Sequence, residues 1–349
     1  MGLAEAPPTH RKTHSALDTV APRPSPLEPH LMRPRVTLVL AITTVVLGGL
    51  LLVPAAYARL VDSDGSASSA EDAPVGIEPS APPPPTLAAA PVTVKGVDGF
   101  LGWALLDRES GKISGSKNMA STNSTESMIK VWIVSDYLRR LGDKTPPSES
   151  LKMASTAIRD SNDDSAEALY NKGGRGAVVD RLIKTCKLTD TRKGAPAGAS
   201  SIWWSYTEMS PRDAVRMGEC VKDGTAAGPK WTKWVLDEMT KVRGTTAAKD
   251  QKLKQGGGRW GILDGLSKGV TAQSPVGIKN GWTLINADGK WHLNCLALTD
   301  NWVLSVMTRY SGGKGLDYGA DVCASVASQL TAPQPGAVLR VPVPLTVRS

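Results

Sequence analysis

A serine and a lysine one helical turn apart are the residues of this sequence best suited to covalent chemistry. Ser127 and Lys130 lie within STESMIKVW, and side chains three residues apart share one face of a helix. The segment from Val131 to Leu138 is mostly apolar, which predicts a helix buried on nearly every side. Because a buried lysine is costly without a partner or a task, the pair is a candidate nucleophile and base.

The distribution of histidine favours lysine as the base. His10, His14 and His30 precede an apolar segment at 36–57, and only His292 follows it. His292 lies in a strand-like run, where we expect a packed or hydrogen-bonded core histidine. Burial and a neighbouring cation both lower the pKa of a lysine, which allows it to accept a proton. Neither cysteines nor histidines have the spacing of a metal site, and we expect no metal and no cofactor.

Two further motifs follow in order, and each also has a structural explanation. S-N-D at 161–163 precedes a helical pattern, where Asp163 or Asp164 could cap the helix. K-N-G at 279–281 lies in a strand-like run, where an edge lysine and a glycine at a close backbone approach are common. A second S-x-x-K, at 114–117, lies in a Gly/Ser-rich turn and has no helix to position it.

Together the three motifs resemble the serine penicillin-recognising family, the class A β-lactamases and D-alanyl-D-alanine peptidases, whose set is S-x-x-K, S-D-N and K-T-G. The resemblance covers about 98–330 and looks closest to actinobacterial membrane-anchored serine hydrolases of this type. It implies that Ser127 is the nucleophile and Lys130 its base. It also implies that Ser161 relays a proton to the leaving nitrogen.

The resemblance further implies a set of substrate-binding residues. Lys279 would hold the substrate carboxylate and keep Lys130 deprotonated by charge repulsion. The backbone N–H groups of Ser127 and Trp282 would form the oxyanion hole. The remaining positions of this set are Asp163, Asn280 and Gly281.

Three departures from the family pattern bear on activity. Asp163 replaces an asparagine, and an acid there would pair with a lysine or repel a substrate carbonyl; Asn280 replaces a threonine. The interval 191–207 resembles the loop that supplies the deacylating glutamate of class A enzymes, yet it contains no carboxylate. Only Asp190 and Glu208 flank it, so we expect slow hydrolysis of an acyl-enzyme. The alternative is a non-catalytic domain that binds cell-wall peptide or a partner protein.

The helices and strands that the sequence predicts around these residues indicate an α+β fold. Phe100–Asp107 and the chain from Ile113 form a hairpin, followed by the helix of Ser127 and a mostly helical region at 148–250. Strand-like runs at 276–284, 291–298 and 302–309 form an antiparallel meander, and 316–330 closes as a helix. We predict an antiparallel β-sheet with flanking N- and C-terminal helices and an inserted helical lobe, of the β-lactamase/transpeptidase type.

The beginning of the chain predicts a membrane anchor. Val36–Tyr57 carries no charge and is long enough to cross a bilayer, which takes about 20 residues. Arg33 and Arg35 precede it, and the stretch at 60–94 has acidic residues but no lysine or arginine, so the C-terminal domain lies outside the cytoplasm. The alternative is a secretory signal cleaved after the A-x-A sequence that ends at Ala58. Either way the domain is exported.

Composition divides the chain into a disordered cytoplasmic tail (1–35), a transmembrane helix (36–57), a Ser/Ala/Pro-rich linker (58–95), the hydrolase-like domain (96–330) and a C-terminal tail (331–349). The net charge of +8 is compatible with simple solubility or with attraction to an anionic wall or membrane surface. The expected partners are the membrane and a peptidoglycan-like peptide or other small acyl substrate. Nucleic acid is not expected, and the oligomeric state stays open.

The four cysteines all follow the predicted anchor. In an oxidising compartment they predict two disulfides, for which three pairings are possible. We favour the two pairs that each lie within one predicted subdomain, Cys186–Cys220 and Cys295–Cys323.

Overall fold

A computed structural model describes residues 84–252 and 256–332 of the chain. The predicted cytoplasmic tail, the apolar segment Val36–Tyr57, most of the linker and most of the C-terminal tail lie outside these residues. Among the residues described, no helix combines the length and the apolarity that crossing a bilayer requires.

Among the strands of the described part, the three longest, β2, β8 and β9, are adjacent in the main sheet. They are β1 (Thr86–Leu87), β2 (Phe100–Asp107), β3 (Ile113–Gly115), β4 (Asn123–Ser124), β5 (Glu208–Met209), β6 (Gly277–Ile278), β7 (Gly281–Ile285), β8 (Lys290–Leu298), β9 (Trp302–Ser311) and β10 (Thr331–Ala332).

The helices lie mostly between β4 and β6. They are α1 (Lys130–Leu141), α2 (Ser148–Arg159), α3 (Asp163–Lys172), α4 (Gly176–Thr185), α5 (Pro211–Lys222), α6 (Pro229–Met239), α7 (Ala248–Lys252), α8 (Ile262–Gly265), α9 (Lys268–Thr271) and α10 (Gly315–Leu330). Three short 3₁₀ helices accompany them, at Glu126–Ile129, Trp204–Tyr206 and Gly312–Lys314.

One antiparallel sheet with strand order β3-β2-β9-β8 forms the centre, and both β6 and β7 pair with β8 beyond it. The predicted hairpin, the meander and the closing helix are therefore confirmed. The first run of the meander is the exception, because its pairing with β8 is interrupted between Ile278 and Gly281. The K-N-G motif occupies this interruption. Thr86–Leu87, within the predicted linker, pairs with Thr331–Ala332.

Helices cover both faces of the sheet. Successive side chains of a strand point to opposite faces, and in β8 Leu296 lies near Gly218 of α5, whereas Leu293 lies near Gly319 of α10. This double coverage explains why β8 and β9 read as nearly continuous apolar runs. The predicted α+β architecture is confirmed.

Helix α1, which follows the 3₁₀ turn of Ser127, lies at the centre of the helical lobe. It packs against α2, α3 and α4 on one side and against α5 and α6 on others, so its residues from Lys130 to Leu138 are all buried. Even its one buried aspartate is satisfied, because Asp136 accepts two hydrogen bonds from Arg181 at 2.6 and 2.7 Å. The all-round burial inferred from the sequence pattern is confirmed.

Both favoured disulfides are present. Cys186–Cys220 joins the residue after α4 to α5, and Cys295–Cys323 joins β8 to α10. In the chain-entropy account, closing loops of this size contributes roughly 3–4 kcal/mol each.

Candidate active site

A cleft of about 370 Å³ opens between four segments and is also lined by Gln251 and Gly256. The four segments are the 3₁₀ turn Glu126–Ile129, the turn between α2 and α3, the loop that precedes β5, and strand β7. Ser127, Ser161, Asp163 and Trp282 all line the cleft, and Ser127 is partly exposed in it. Residues from three separate motifs therefore meet at one cavity.

Lys130 is the first residue of α1, and its side chain is fully buried. Its Nζ donates to the carbonyl oxygen of Ser161, lies 3.4 Å from Ser161 Oγ and lies 2.5 Å from Oδ1 of Asp163. The ammonium group is also 5.0 Å from the centre of the Trp204 ring, a cation–π distance. Burial lowers the pKa of Lys130, and the Asp163 carboxylate opposes that shift. The acid at position 163 does pair with a lysine.

Lys279 is a second fully buried lysine, and it contacts the same Ser161 hydroxyl group as Lys130. Its Nζ donates to Ser161 Oγ at 2.9 Å and to the carbonyl oxygen of Asn280 at 3.1 Å. Burial lowers its pKa well below the usual value, and the positive charge of Lys130 lowers it further. Because Asp163 pairs with Lys130 at short range, the charge repulsion between the two lysines acts mainly on Lys279.

The position of Asp163 follows from how α3 begins. The residue that caps this helix is Asn162, whose side chain accepts a hydrogen bond from the Ser165 N–H at 2.8 Å. Neither Asp163 nor Asp164 is the cap, which corrects the structural explanation of the motif. Asp163 is instead the first helical residue, where the helix dipole favours a carboxylate, and its side chain is 76% exposed.

Strand β7 lies directly against the nucleophile turn at Gly281. A Cβ atom at this position would lie 2.5 Å from the backbone nitrogen of Met128 and 2.7 Å from that of Ser127, so only glycine permits the approach. The approach brings the strand that carries Trp282 beside the turn that carries Ser127. These are the two residues whose backbone N–H groups are predicted to form the oxyanion hole.

Asn280 does not line the cleft, in contrast to its predicted role in binding substrate. Its side chain is buried, and Nδ2 donates to the carbonyl oxygens of Gly258 and Trp260, both at 2.9 Å. The Trp282 indole packs edge-on against Trp260 and donates to Gln251 Oε1 at 2.9 Å. Asn280 therefore supports the segment behind the cleft.

Solved structures share this arrangement of sheet and helices. A β-lactamase from Streptosporangium roseum superimposes with a TM-score of 0.51 at 16% identity, covering 66% of this chain and 91% of its own. A class A β-lactamase from Mycobacterium abscessus gives 0.50 at 14% identity, covering 67% and 93%. L2 in complex with relebactam gives 0.50 at 17% identity, covering 66% and 89%.

The chain has the class A β-lactamase fold. No protein-family model matches the sequence, and the comparison with curated proteins gives no match. At these identities the likeness establishes the fold, and the activity has to be argued from the side chains of the site.

In this β-lactamase fold, the carboxylates that flank the loop at 191–207 hold its two ends. Backbone hydrogen bonds of 2.9 Å join Arg192 and Glu208 in both directions, and their side chains lie 3.8 Å apart. Asp190 accepts two hydrogen bonds from Arg212 and one from Ser210. Neither Asp190 nor Glu208 lines the cleft. The loop therefore brings no carboxylate to Ser127 from either end.

Sequence reasoning missed a carboxylate on another wall of the cleft. Glu126, the residue before Ser127, lines the cavity although it is only 2% exposed. Its φ of +48° is in the left-handed region, which is uncommon for a residue other than glycine and recurs at functional sites. Burial raises its pKa to about 7. The signal was present in the sequence as an acid directly before Ser127, at the start of the buried apolar segment.

His292 is buried and hydrogen-bonded at both ring nitrogens, as expected. Nδ1 lies 2.6 Å from Ser124 Oγ, and Nε2 lies 2.9 Å from Oδ2 of Asp288. Burial lowers the pKa of His292, and the Asp288 carboxylate opposes this effect. The ring does not line the cleft of Ser127.

Proposed function

We propose that this chain is a membrane-anchored, extracytoplasmic serine acyl-transfer enzyme that acts on cell-wall D-Ala-D-Ala-like peptides or β-lactams. The observation that carries the proposal is the Ser161 hydroxyl, which lies 3.4 and 2.9 Å from two buried lysine Nζ atoms beside an accessible Ser127. A core does not normally hold two lysines, and together they can hold and move protons. The fold supports a serine hydrolase in general. The anchor rests on Val36–Tyr57.

The proposed acylation uses each of these groups. Neutral Lys130 accepts the Ser127 proton as Oγ adds to the substrate carbonyl carbon, and the N–H groups of Ser127 and Trp282 stabilise the oxyanion. Ser161 passes the proton on to the leaving nitrogen, and the C–N bond breaks to leave an ester on Ser127. Lys279 supplies the positive charge that attracts the substrate carboxylate.

The test is labelling of the full-length chain with a fluorescent penicillin, followed by mass spectrometry of the adduct. We expect labelling at Ser127 that is lost in Ser127→Ala. Lys130→Ala should slow labelling by about 10²–10⁴-fold, the usual contribution of positioned proton transfer. His292→Ala is the matched control and should still be labelled. Equal labelling of Lys130→Ala and the wild type would contradict the lysine base.

A second candidate, a non-catalytic binding domain, is favoured by one observation. The Asp163 carboxylate lies 2.5 Å from Lys130 Nζ and stabilises its protonated form, which cannot accept a proton. This alternative predicts no covalent adduct, together with saturable and reversible binding of a D-Ala-D-Ala peptide. Calorimetry on the Ser127→Ala variant measures that binding without interference from turnover.

A further inference from the structure

A chain of four polar side chains runs from the wall of the cleft to the surface. Ser124 Oγ lies 2.7 Å from Glu126 Oε1 and 2.6 Å from His292 Nδ1, and His292 Nε2 lies 2.9 Å from Asp288. Glu126, Ser124 and His292 are all buried, whereas the side chain of Asp288 is 39% exposed at the edge of a second cleft. Burying polar groups costs free energy, so a buried series of hydrogen-bonded side chains such as this one is a candidate for a functional role.

This series of hydrogen-bonded side chains can adopt two protonation states. Ser124 has one hydroxyl hydrogen, so it cannot donate to Glu126 and to His292 at the same time. When Ser124 donates to an ionised Glu126, the ring must donate to Ser124, which makes His292 an imidazolium paired with Asp288. When Glu126 is protonated, it donates to Ser124, and Ser124 donates to a neutral ring. The states differ by one proton shifted through the Ser124 hydroxyl.

The surroundings of Glu126 raise its pKa, so its carboxyl can change protonation state near neutral pH. The carboxylate accepts a hydrogen bond from the Ser124 hydroxyl, and burial raises its pKa to about 7. At the far end, burial raises the pKa of Asp288, but hydrogen bonds from His292 and the Lys290 N–H, together with the charges of His292 and Arg309, lower it on balance. The titratable groups that face Glu126 are Lys130, Asp163, Tyr206, Glu208 and, through Ser124, His292.

We propose that Glu126 is the general base in the hydrolysis of the acyl-enzyme. Ser124 and His292 prepare Glu126 for this role by accepting the proton of its carboxyl group, which leaves the carboxylate ionised. The inference rests on the proposed function. Water adds to the acyl carbonyl carbon while Glu126 takes one of its protons. The carbon–Oγ bond then breaks, Ser127 Oγ recovers that proton from Glu126, and the second hydrogen of the water leaves on the product acid.

Three observations support this assignment. Glu126 adjoins Ser127 in the 3₁₀ turn and lines the same cleft. The loop that resembles the usual source of the base contributes no carboxylate to the cleft, since Asp190 and Glu208 are both engaged at its ends. The left-handed φ of Glu126 is uncommon for a residue other than glycine, and such conformations recur at functional sites.

The experiment follows the lifetime of the adduct rather than its formation. The full-length chain is labelled with a fluorescent penicillin, free label is removed, and the remaining adduct is measured by mass spectrometry between pH 5 and pH 9. The wild-type hydrolysis rate should rise with pH through about 7, since the base is the ionised form. Glu126→Gln should acylate, but its adduct should persist about 10²–10⁴-fold longer.

Two further variants keep the test decisive. Ser124→Ala removes a hydrogen bond that lowers the pKa of Glu126, so the midpoint of the pH profile should move upward. Asp143→Asn removes an exposed carboxylate that does not line the cleft and should leave hydrolysis unchanged.

The outcomes separate the two proposals. No adduct in either the wild type or Glu126→Gln would contradict the proposed function and this inference with it. A wild-type adduct that is as long-lived as that of Glu126→Gln would overturn the inference alone. If Glu126→Gln fails to fold, an unchanged midpoint in Ser124→Ala would also overturn it.

Discussion

Asp163 carries an exposed carboxylate to within 2.5 Å of a fully buried ammonium group, that of Lys130. The carboxylate stabilises the lysine proton and opposes the effect of burial on the Lys130 pKa. Asp163→Asn should therefore lower that pKa and raise the fraction of neutral base at pH 7. We expect acylation to become faster, because a larger fraction of Lys130 can then accept the Ser127 proton.

The measurement is the rate of labelling by a fluorescent penicillin at pH 7, with Asp143→Asn as the control, because Asp143 is exposed and does not line the cleft. If Asp163→Asn instead slows labelling as much as Lys130→Ala does, Asp163 takes part in the reaction. Its effect is then not limited to stabilising the protonated form of Lys130.

Glu126 should also affect how stability depends on pH. Its pKa rises on folding from the ordinary 4.5 to about 7, so the folded state binds the proton more tightly than the unfolded state. The stabilisation is complete below about pH 4.5 and is lost as pH rises through about 7. The difference corresponds to roughly 3 kcal/mol. Glu126→Gln removes this dependence.

Thermal unfolding of the full-length chain in detergent tests this expectation. The gain in stability of Glu126→Gln over the wild type should be larger at pH 8 than at pH 5. Parallel pH dependences of the two proteins would mean that Glu126 ionises without penalty, contrary to its burial.

At the scale of elements, the approach of β7 to the nucleophile turn is the most exacting contact of the site. A Cβ at Gly281 would lie 2.5 Å from backbone atoms of Thr125 and Met128, so Gly281→Ala must push the strand away from the turn. The N–H groups of Ser127 and Trp282 would then no longer converge. Acylation should fall by about 10²–10³-fold, the usual effect of losing an oxyanion-hole donor.

Gly313→Ala is the matched control, because a Cβ there meets nothing within 4 Å and the backbone is not left-handed. Labelling rates and melting temperatures of both variants should be compared. A Gly281→Ala variant that acylates at the wild-type rate would show that the oxyanion is stabilised elsewhere.

At the scale of the whole molecule, the proposed topology places the β-lactamase-fold domain outside the cell. The basis is the charge asymmetry around Val36–Tyr57, with Arg33 and Arg35 on the cytoplasmic side. Protease added to intact cells should remove a C-terminal tag and spare an N-terminal one. A C-terminal tag that is cut only after lysis would reverse the orientation, and release of the whole domain into the medium would favour cleavage after Ala58.

The sequence by itself determined the fold class and the residues around Ser127. Periodicity marked the hairpin, the meander and the central helix, because burial on one or both faces leaves a local apolar pattern. The sequence left three disulfide pairings open, and the favoured pairing, with each bridge inside one predicted subdomain, is confirmed. The motif residues Ser127, Lys130 and Ser161 were found because their spacing and order are local features.

Only the tertiary structure decided what each polar side chain meets. It directed Asn280 into the core, joined Asp163 to Lys130 and left the loop carboxylates Asp190 and Glu208 outside the cleft. It also linked Glu126 to His292, which lie far apart in the chain, through Ser124. Such contacts depend on strand register and helix packing, and pKa values depend on burial, which no local pattern encodes.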